Sequence, residues 1–564
     1  MSLVRKLVLL ATILGAFGLP TNPDQKGLGY VGETPAGPPT CLLPPVLEPP
    51  DDGLPSGATV FSGAEALETQ VRRHQAIVRV PTVCYDDLGD FDTDPRWNRF
   101  HRLHEVLQET YPAVHGRARL DKVNTFGLVY TIQGSDPSLQ PALLTAHQDV
   151  VPAGDPCAWT HPPFNATFDG EWLWGRGSAD DKASLTGLLS AVEALASISE
   201  WTPRRSIILA FGFDEECSGY RGAGSIAKYL LSQYGHNGLA LILDEGTGGI
   251  SPFEDGTRYA PVGVLEKGHV DVTFDLRVRG GHSSTPLPHS GIGIVAEIVT
   301  ALEAHVYEPR VTTESPVYSR LVCQMEYSPE SDPELFRHVR SGDLGRLATE
   351  LSLRDAFSRY SVTSSVAVTT IQGGLKINAL PEAVTLGANF RVAPHDSIAK
   401  ILQAVLEDIS GVVHKYGLTV TAYEDDQEYQ GALTNRAELE ATLSRVGYNG
   451  AGDNGTLTLT ASEKFPVTPQ APTHGAAWDV LAGTIRHSFA ADDGLVVPFG
   501  DVMMGNTDTR HYLDLSPSIY RWLPLLPGDM VDYHAVNERI RMGANLKMAE
   551  FYYDLIRNLG HVDL

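Results

Sequence analysis

The chain has 564 residues, 42% of them hydrophobic and 20% charged, so it is globular in composition and too long for one core. Its 69 acidic residues against 43 basic ones leave a formal charge of -26, which excludes the basic footprint of a nucleic-acid binder. Five cysteines with no CxxC spacing exclude a disulfide scaffold and a cysteine zinc site, so any metal must be held by His and carboxylates.

Met1 to Leu19 reads as a secretory signal: Arg5 and Lys6, then an apolar run ending near the small residues Ala16 and Gly18. The run is shorter than the roughly 20 residues that span a bilayer. A signal anchor is the alternative, and only residues 7–19 acting as an anchor would bring a membrane contact. Residues 20–57 are rich in Pro and Gly and read as a leader or linker. The sequons Asn165-Ala166-Thr167 and Asn454-Gly455-Thr456 fit a glycoprotein of the secretory route.

From Ala58 onward the chain alternates helices and strands. Glu65 to Val78, Trp97 to Tyr111 and Lys182 to Ile198 have helical apolar spacing, the last with Leu185, Leu188, Leu189, Val192 and Leu195 on one face. Ala142 to Ala146, Ser206 to Phe213 and Leu239 to Leu243 are continuous apolar runs, as expected of strands buried on both faces. Each ends in chemistry: His147-Gln148-Asp149, Asp214-Glu215-Glu216 and Asp244-Glu245. Parallel strands place such ends on one sheet edge, where open α/β folds build their sites. A fourth signal, Asp180-Asp181-Lys182, sits where a Gly-rich loop meets a helix.

Val270 to Val278 and Ala383 to Val392 instead alternate apolar and polar residues, and helical stretches at Gly291 to Val306 and Ser397 to Tyr416 accompany them. That pattern predicts an antiparallel sheet covered by helices on one side. The fold class is therefore α/β: a catalytic domain with a mostly parallel central sheet flanked by helices, interrupted by a smaller α+β lid domain with an antiparallel sheet. The expected parts are 58–265 (catalytic), 266–425 (lid) and 426–564 (catalytic, ending in a helix near Asn537 to Leu559). Glu314 to Tyr360 reads as polar and irregular, with no assignable role.

A His with several carboxylates suits zinc or another first-row divalent ion. Gathered without a cation, those carboxylates would repel and raise one another's pKa. A pair of metals resolves the conflict, provided that one carboxylate stays off them as a general base. The adjacent Glu215 and Glu216 serve both needs.

The motifs LLTAHQDVVP, WLWGRGSADDK, FGFDEECSG, LDEG, GGHSSTP, GGLKINALPE and HAVNERI together resemble the M20 metallopeptidase family. With GNTDTRHY they are most similar to its carboxypeptidase S branch, the Gly-X carboxypeptidases and related N-acyl-amino-acid hydrolases. The resemblance implies two zinc ions per chain. It implies His147, Asp180 (bridging), Glu216, Asp244 and His534 as ligands, with His511 the competitor of His534. It gives Glu215 as general base, Asp149 as the residue orienting His147, and His282 as the oxyanion partner brought in by lid closure. Asn378 and Arg391 resemble the family's substrate-binding Asn and Arg, Arg510 being a rival clamp for a carboxylate. A cis Asp180-Asp181 peptide is also implied.

The implied function is hydrolysis of the C-terminal bond of short peptides. Alternatives are hydrolysis or synthesis of N-acyl amino acids at the same site, and an inactive binding protein on the same fold. Homodimerisation through an edge of the lid sheet, and a vacuolar or extracellular location, complete the expectations.

Overall fold

The computed structural model describes residues 40–424, 426, 455–490 and 494–564. The signal, the leader as far as residue 39 and the Asn454 sequon lie outside the described residues. The central sheet runs in the strand order Arg119–Val123, Gly127–Ile132, Ile207–Gly212, Ala142–His147, Leu241–Gly248, Ile519–Leu523, Arg258–Glu266, Val496–Met503. The third to sixth of these are parallel neighbours, and the first three pair antiparallel. The continuous apolar runs are the middle strands, and Ala142–His147 and Ile207–Gly212 are buried at every position.

Helix Lys182–Ala196 lies against this sheet, between Gly63–Val78 and Met542–His561. Its apolar stripe predicts one buried face, yet almost the whole helix is buried because helices cover its other sides. Its polar residues are satisfied inside. Glu193 accepts from the N–H groups of Ala113 and Val114 at the start of helix Pro112–Arg117, and Thr186 pairs with His74. The Lys182 ammonium donates to the Val80 carbonyl at 2.7 Å.

The second sheet has the order Ser365–Gly373, Ala383–Val392, Gly268–Arg277, Thr456–Phe465, Thr419–Ala422. Val270, Val272, Phe274 and Leu276 alternate inward, opposite Leu386, Ala388 and Phe390, and pack on helices Gly291–Glu303 and Ile398–Tyr416. Burial of each such side chain contributes about 1.5–3 kcal/mol. Strand Thr456–Phe465 belongs to this sheet, so the lid extends past the boundary expected at 425 and the central sheet resumes only at Val496.

The stretch read as polar and irregular is four short helices: Pro316–Tyr327, Pro333–Ser341, Leu344–Arg354 and Ala356–Val362. Ser315, Asp332, Asp343 and Asp355 cap their N-termini by accepting a backbone N–H three residues on. They bury Leu321, Phe336, Leu347 and Leu351 against Leu265, Val497 and Phe499 at the far edge of the central sheet. Each helix is too short for periodicity to emerge, although the capping residues and the Pro at position N1 of two of them were readable.

Residues 40–57, expected as a loose leader, run along the back of the catalytic part. Cys41 is bonded to Cys323. The Leu47 N–H donates to the Gly483 carbonyl, and the Arg557 guanidinium donates to Asp52, Pro50 and Pro55. Pro-rich chain cannot pack by itself, but it can be held by donors that other elements supply.

Candidate metal and hydrolase site

The site lies where the parallel strands end. His147 closes the strand Ala142–His147, the turn Glu215–Cys217 follows Ile207–Gly212, and Asp244 and Glu245 lie within Leu241–Gly248. Asp180 and Asp181 precede helix Lys182–Ala196 and are joined by a cis peptide. His534 arrives from the C-terminal part on a loop with positive φ at Asp532, His534 and Asn537.

Asp180 is the centre. Its Oδ1 is 3.1 Å from His147 Nε2 and its Oδ2 is 3.0 Å from His534 Nε2. Glu216 lies outside one imidazole, with an oxygen 3.1 Å from His534 Nε2. Outside the other is Glu245, whose Oε1 is 3.5 Å from His147 Nε2. Glu245 is the residue after the expected ligand Asp244. Asp244 turns onto its own backbone, Oδ1 accepting from the Glu245 N–H at 2.9 Å, while its Oδ2 is buried without a hydrogen-bond partner. Successive strand residues face opposite ways, and sequence alone does not say which of two adjacent acids faces the cleft.

Asp149 orders the centre. Its Oδ1 is 3.3 Å from His147 Nδ1, and its two oxygens accept from the N–H groups of Glu215 and Glu216. One fully buried carboxylate thereby sets the imidazole and both glutamates. Asp214, unnoticed as a separate role in the sequence, folds the loop behind them by accepting from the N–H groups of Arg221 and Gly222. A disulfide between Cys84 and Cys217 ties down the same turn. Asp181 accepts from the His147 N–H at 3.3 Å.

The electrostatics state what is needed here. Burial pushes Glu215 up to about 8 and raises Glu216 and Glu245 as well, Glu245 far above its usual range. Burial also acts against the charge on Asp180, but the hydrogen bonds from His147 and His534 outweigh it and hold Asp180 well below the usual carboxylate range. Hydrogen bonds to Asp180 and Glu216 raise His534 to about 10. A set of two imidazoles and three carboxylates, with one carboxylate between the imidazoles, fits two first-row divalent ions sharing Asp180. The side-chain groupings able to hold a metal among the described residues all contain His147.

His511 is not in this set: its Nε2 binds the Ser218 carbonyl at 2.9 Å, and burial lowers it to about 4. Glu215 makes no imidazole contact, and Arg510 Nη2 stands 3.8 Å from its Oε1. The Arg510 guanidinium lies over the Phe465 ring at 4.5 Å. Arg391 donates to Asn506 Oδ1 at 2.7 Å, and Asn506 lines the cleft. His282 and Asn378 are placed differently. His282 lies in, and Asn378 just precedes, a two-strand ribbon of Gly281–His282 with Ala379–Leu380, and both are exposed. His282 Nδ1 accepts from the Ser284 N–H, and neither residue lines the cleft at the acids. That cleft has a volume of about 470 Å³. Beside Asp180, Glu215, Glu216 and His534 its lining includes the apolar residues Met503, Leu523, Leu525, Leu526 and Met530.

Residues 143–558 match the profile of Peptidase family M20/M25/M40. The chain is 38% identical to an uncharacterized carboxypeptidase of Schizosaccharomyces pombe, over 92% of this chain and 84% of that one. It is 32% identical to carboxypeptidase S of Saccharomyces cerevisiae (98% and 95%) and 30% identical to a Bos taurus N-fatty-acyl-amino acid synthase/hydrolase (80% and 81%). Human carnosine dipeptidase 1 shares the fold, with a TM-score of 0.63 at 14% identity over 91% of this chain and all of that one. With a family match over most of its length and the strand-end site that these motifs build, the chain belongs to peptidase family M20/M25/M40, as a metallopeptidase of the carboxypeptidase S branch.

Proposed function

We propose that the protein is a dinuclear zinc carboxypeptidase that releases the C-terminal residue of short peptides of the Gly-X type. The observation that carries this reading is Asp180 held between two imidazoles, with Glu215 beside it facing Arg510. His147, Asp180 and Glu245 would hold one ion, and His534, Asp180 and Glu216 the other. The ions supply polarisation of the amide carbonyl and acidification of water.

The chain's own residues do the rest. Glu215 takes the proton of the attacking water and returns it to the leaving nitrogen. Asp149 keeps His147 and both glutamates in register. Arg391, braced by Asn506, offers a planar fork to the substrate carboxylate. His282, carried in by lid closure, donates to the carbonyl oxygen as negative charge develops there, and Asn378 travels with it.

The apolar lining supports a hydrophobic residue on one side of the scissile bond. It equally accepts an acyl chain, which together with the Bos taurus relative supports N-acyl amino acids as the second reading. The test is metal content by mass spectrometry beside turnover of a blocked Gly-Leu dipeptide and of an N-fatty-acyl amino acid. Two zinc ions per chain with faster dipeptide cleavage supports the first reading, and faster acyl cleavage the second. No bound metal and no turnover removes both in favour of a binding protein.

Two disulfides support an oxidising compartment, hence the secretory route to a vacuole or the outside. Among the described residues no helix is long and apolar enough to cross a membrane. The edge strand Ser365–Gly373 is largely exposed, which supports pairing with a second copy through the lid, to be read by sedimentation.

A further inference from the structure

Glu538 lies four positions after His534 in HAVNERI, and the chemistry above gives it no part. It is fully buried. Its Oε2 accepts from Arg176 Nη1 at 2.5 Å and from the Gly177 N–H at 3.0 Å. Its Oε1 accepts from the Ala179 N–H at 2.8 Å and the Asp180 N–H at 3.1 Å. Its backbone carbonyl accepts from the Gly175 N–H at 2.9 Å. One residue thus receives five donors from the single loop Gly175 to Asp180.

That loop ends in the shared carboxylate. The segment around Glu538 carries the imidazole that meets this carboxylate, and the two segments are 358 residues apart in the chain. Strand Arg539–Arg541 continues the junction by pairing with Trp172–Trp174. The His534 loop, by contrast, is anchored mostly within its own segment: Arg539 Nη1 donates to Asp532 Oδ2 at 2.6 Å and to the Asn537 carbonyl at 2.9 Å. Its tip is exposed, three of its residues have positive φ, and Asn537 Oδ1 accepts from the Thr160 N–H. The position of His534 relative to Asp180 is therefore set largely at Glu538.

We infer that Glu538 is a positioning residue that fixes the separation of Asp180 and His534, and so sets the affinity of the metal position these two share with Glu216. The inference rests on the dinuclear reading. A neutral Gln of the same shape could satisfy at most part of a donor set built for a carboxylate, and its NH2 group would oppose an N–H of the loop. Outer partners of metal ligands alter affinity by about 10–100-fold when replaced.

The test compares wild type, Glu538→Gln and Arg176→Gln, each folded by circular dichroism. Zinc is measured by equilibrium dialysis against a chelator, and kcat and KM are measured with and without excess zinc. Glu538→Gln is expected to retain one ion tightly and to weaken the second about 10–100-fold. Its kcat should fall at limiting zinc, recover with excess zinc, and leave KM little changed. Arg176→Gln leaves the four backbone N–H bonds to Glu538 in place, three to its carboxylate and one to its carbonyl, so it should fold and show a smaller loss in the same direction. If Glu538→Gln does not fold, the Arg176→Gln result decides.

Two ions bound with wild-type affinity in the folded variants would overturn the inference, and so would a kcat loss that excess zinc does not restore. If wild type itself binds no zinc, the dinuclear reading has failed, and the positioning role fails with it. If wild type binds two ions and the variants do the same with unaltered affinity, only the role of Glu538 has failed.

Discussion

The acid cradle and the lid ribbon hold the residues of the proposed mechanism in opposite ways. In the cradle every group is fixed by another: Asp149 by two backbone N–H groups and an imidazole, Asp180 by two imidazoles. In the ribbon, His282 and Asn378 are exposed, and His282 touches mainly its neighbour Ser284. On the proposed reading the cradle is set before a substrate arrives, and lid closure brings the ribbon to it. Rigid preorganisation serves charge development, and a movable ribbon serves admission and release.

The sharpest way to break this contrast is at Glu215. Glu215→Gln should lose about 10²–10⁴-fold in kcat with both ions retained, measured by steady-state kinetics beside metal content. Loss of metal instead would make Glu215 part of the cradle's scaffold. His282→Ala comes next, with a kcat loss of about 10²–10³-fold and metal content and melting temperature unchanged. A change in metal affinity there would erase the distinction between the two regions. Asp149→Ala should weaken metal binding by about 10–100-fold, because His147 and the glutamate turn lose their common anchor. Asn378→Ala should raise KM by about 2–10-fold, the worth of one hydrogen bond of roughly 0.5–1.5 kcal/mol, and leave the metals alone.

The smallest effect is in protons. Glu216, Glu245 and His534 all hold protons more tightly in the metal-free protein than they would in water. Ligation requires them deprotonated, so zinc binding should release protons and its affinity should rise with pH across the neutral range towards 10, the value held by His534. Calorimetry in buffers of different ionisation enthalpy reads that release. Proton uptake, or no pH dependence, would contradict the ligand set.

Much of the cradle was legible because its residues end long apolar runs, and a buried parallel strand is the strongest signal a sequence offers. His147, Asp180, Glu215, Glu216 and His534 all lie in motifs that announce themselves. The approach of Glu245 to His147, beside the expected Asp244, was not legible, because it depends on the phase of a strand that is apolar on both faces. Glu538 was quoted within a motif but its role was not legible, since its partners lie more than 350 residues away and most are backbone N–H groups. The helices between Pro316 and Val362 were hidden by their shortness, and the course of residues 40–57 by its dependence on distant donors such as Arg557.

The contacts of residues 40–57 also carry a consequence for the order in which the chain is made. Asp52 pairs with Arg557, 505 residues later. The first described segment therefore emerges from the ribosome long before its berth exists, and it cannot dock until the helix Met542–His561 has been translated and folded. The Cys41–Cys323 bond can form earlier, once the middle helices are out. That bond tethers the segment near its berth, so that the last-made helix closes the molecule onto a strand of chain already waiting beside it.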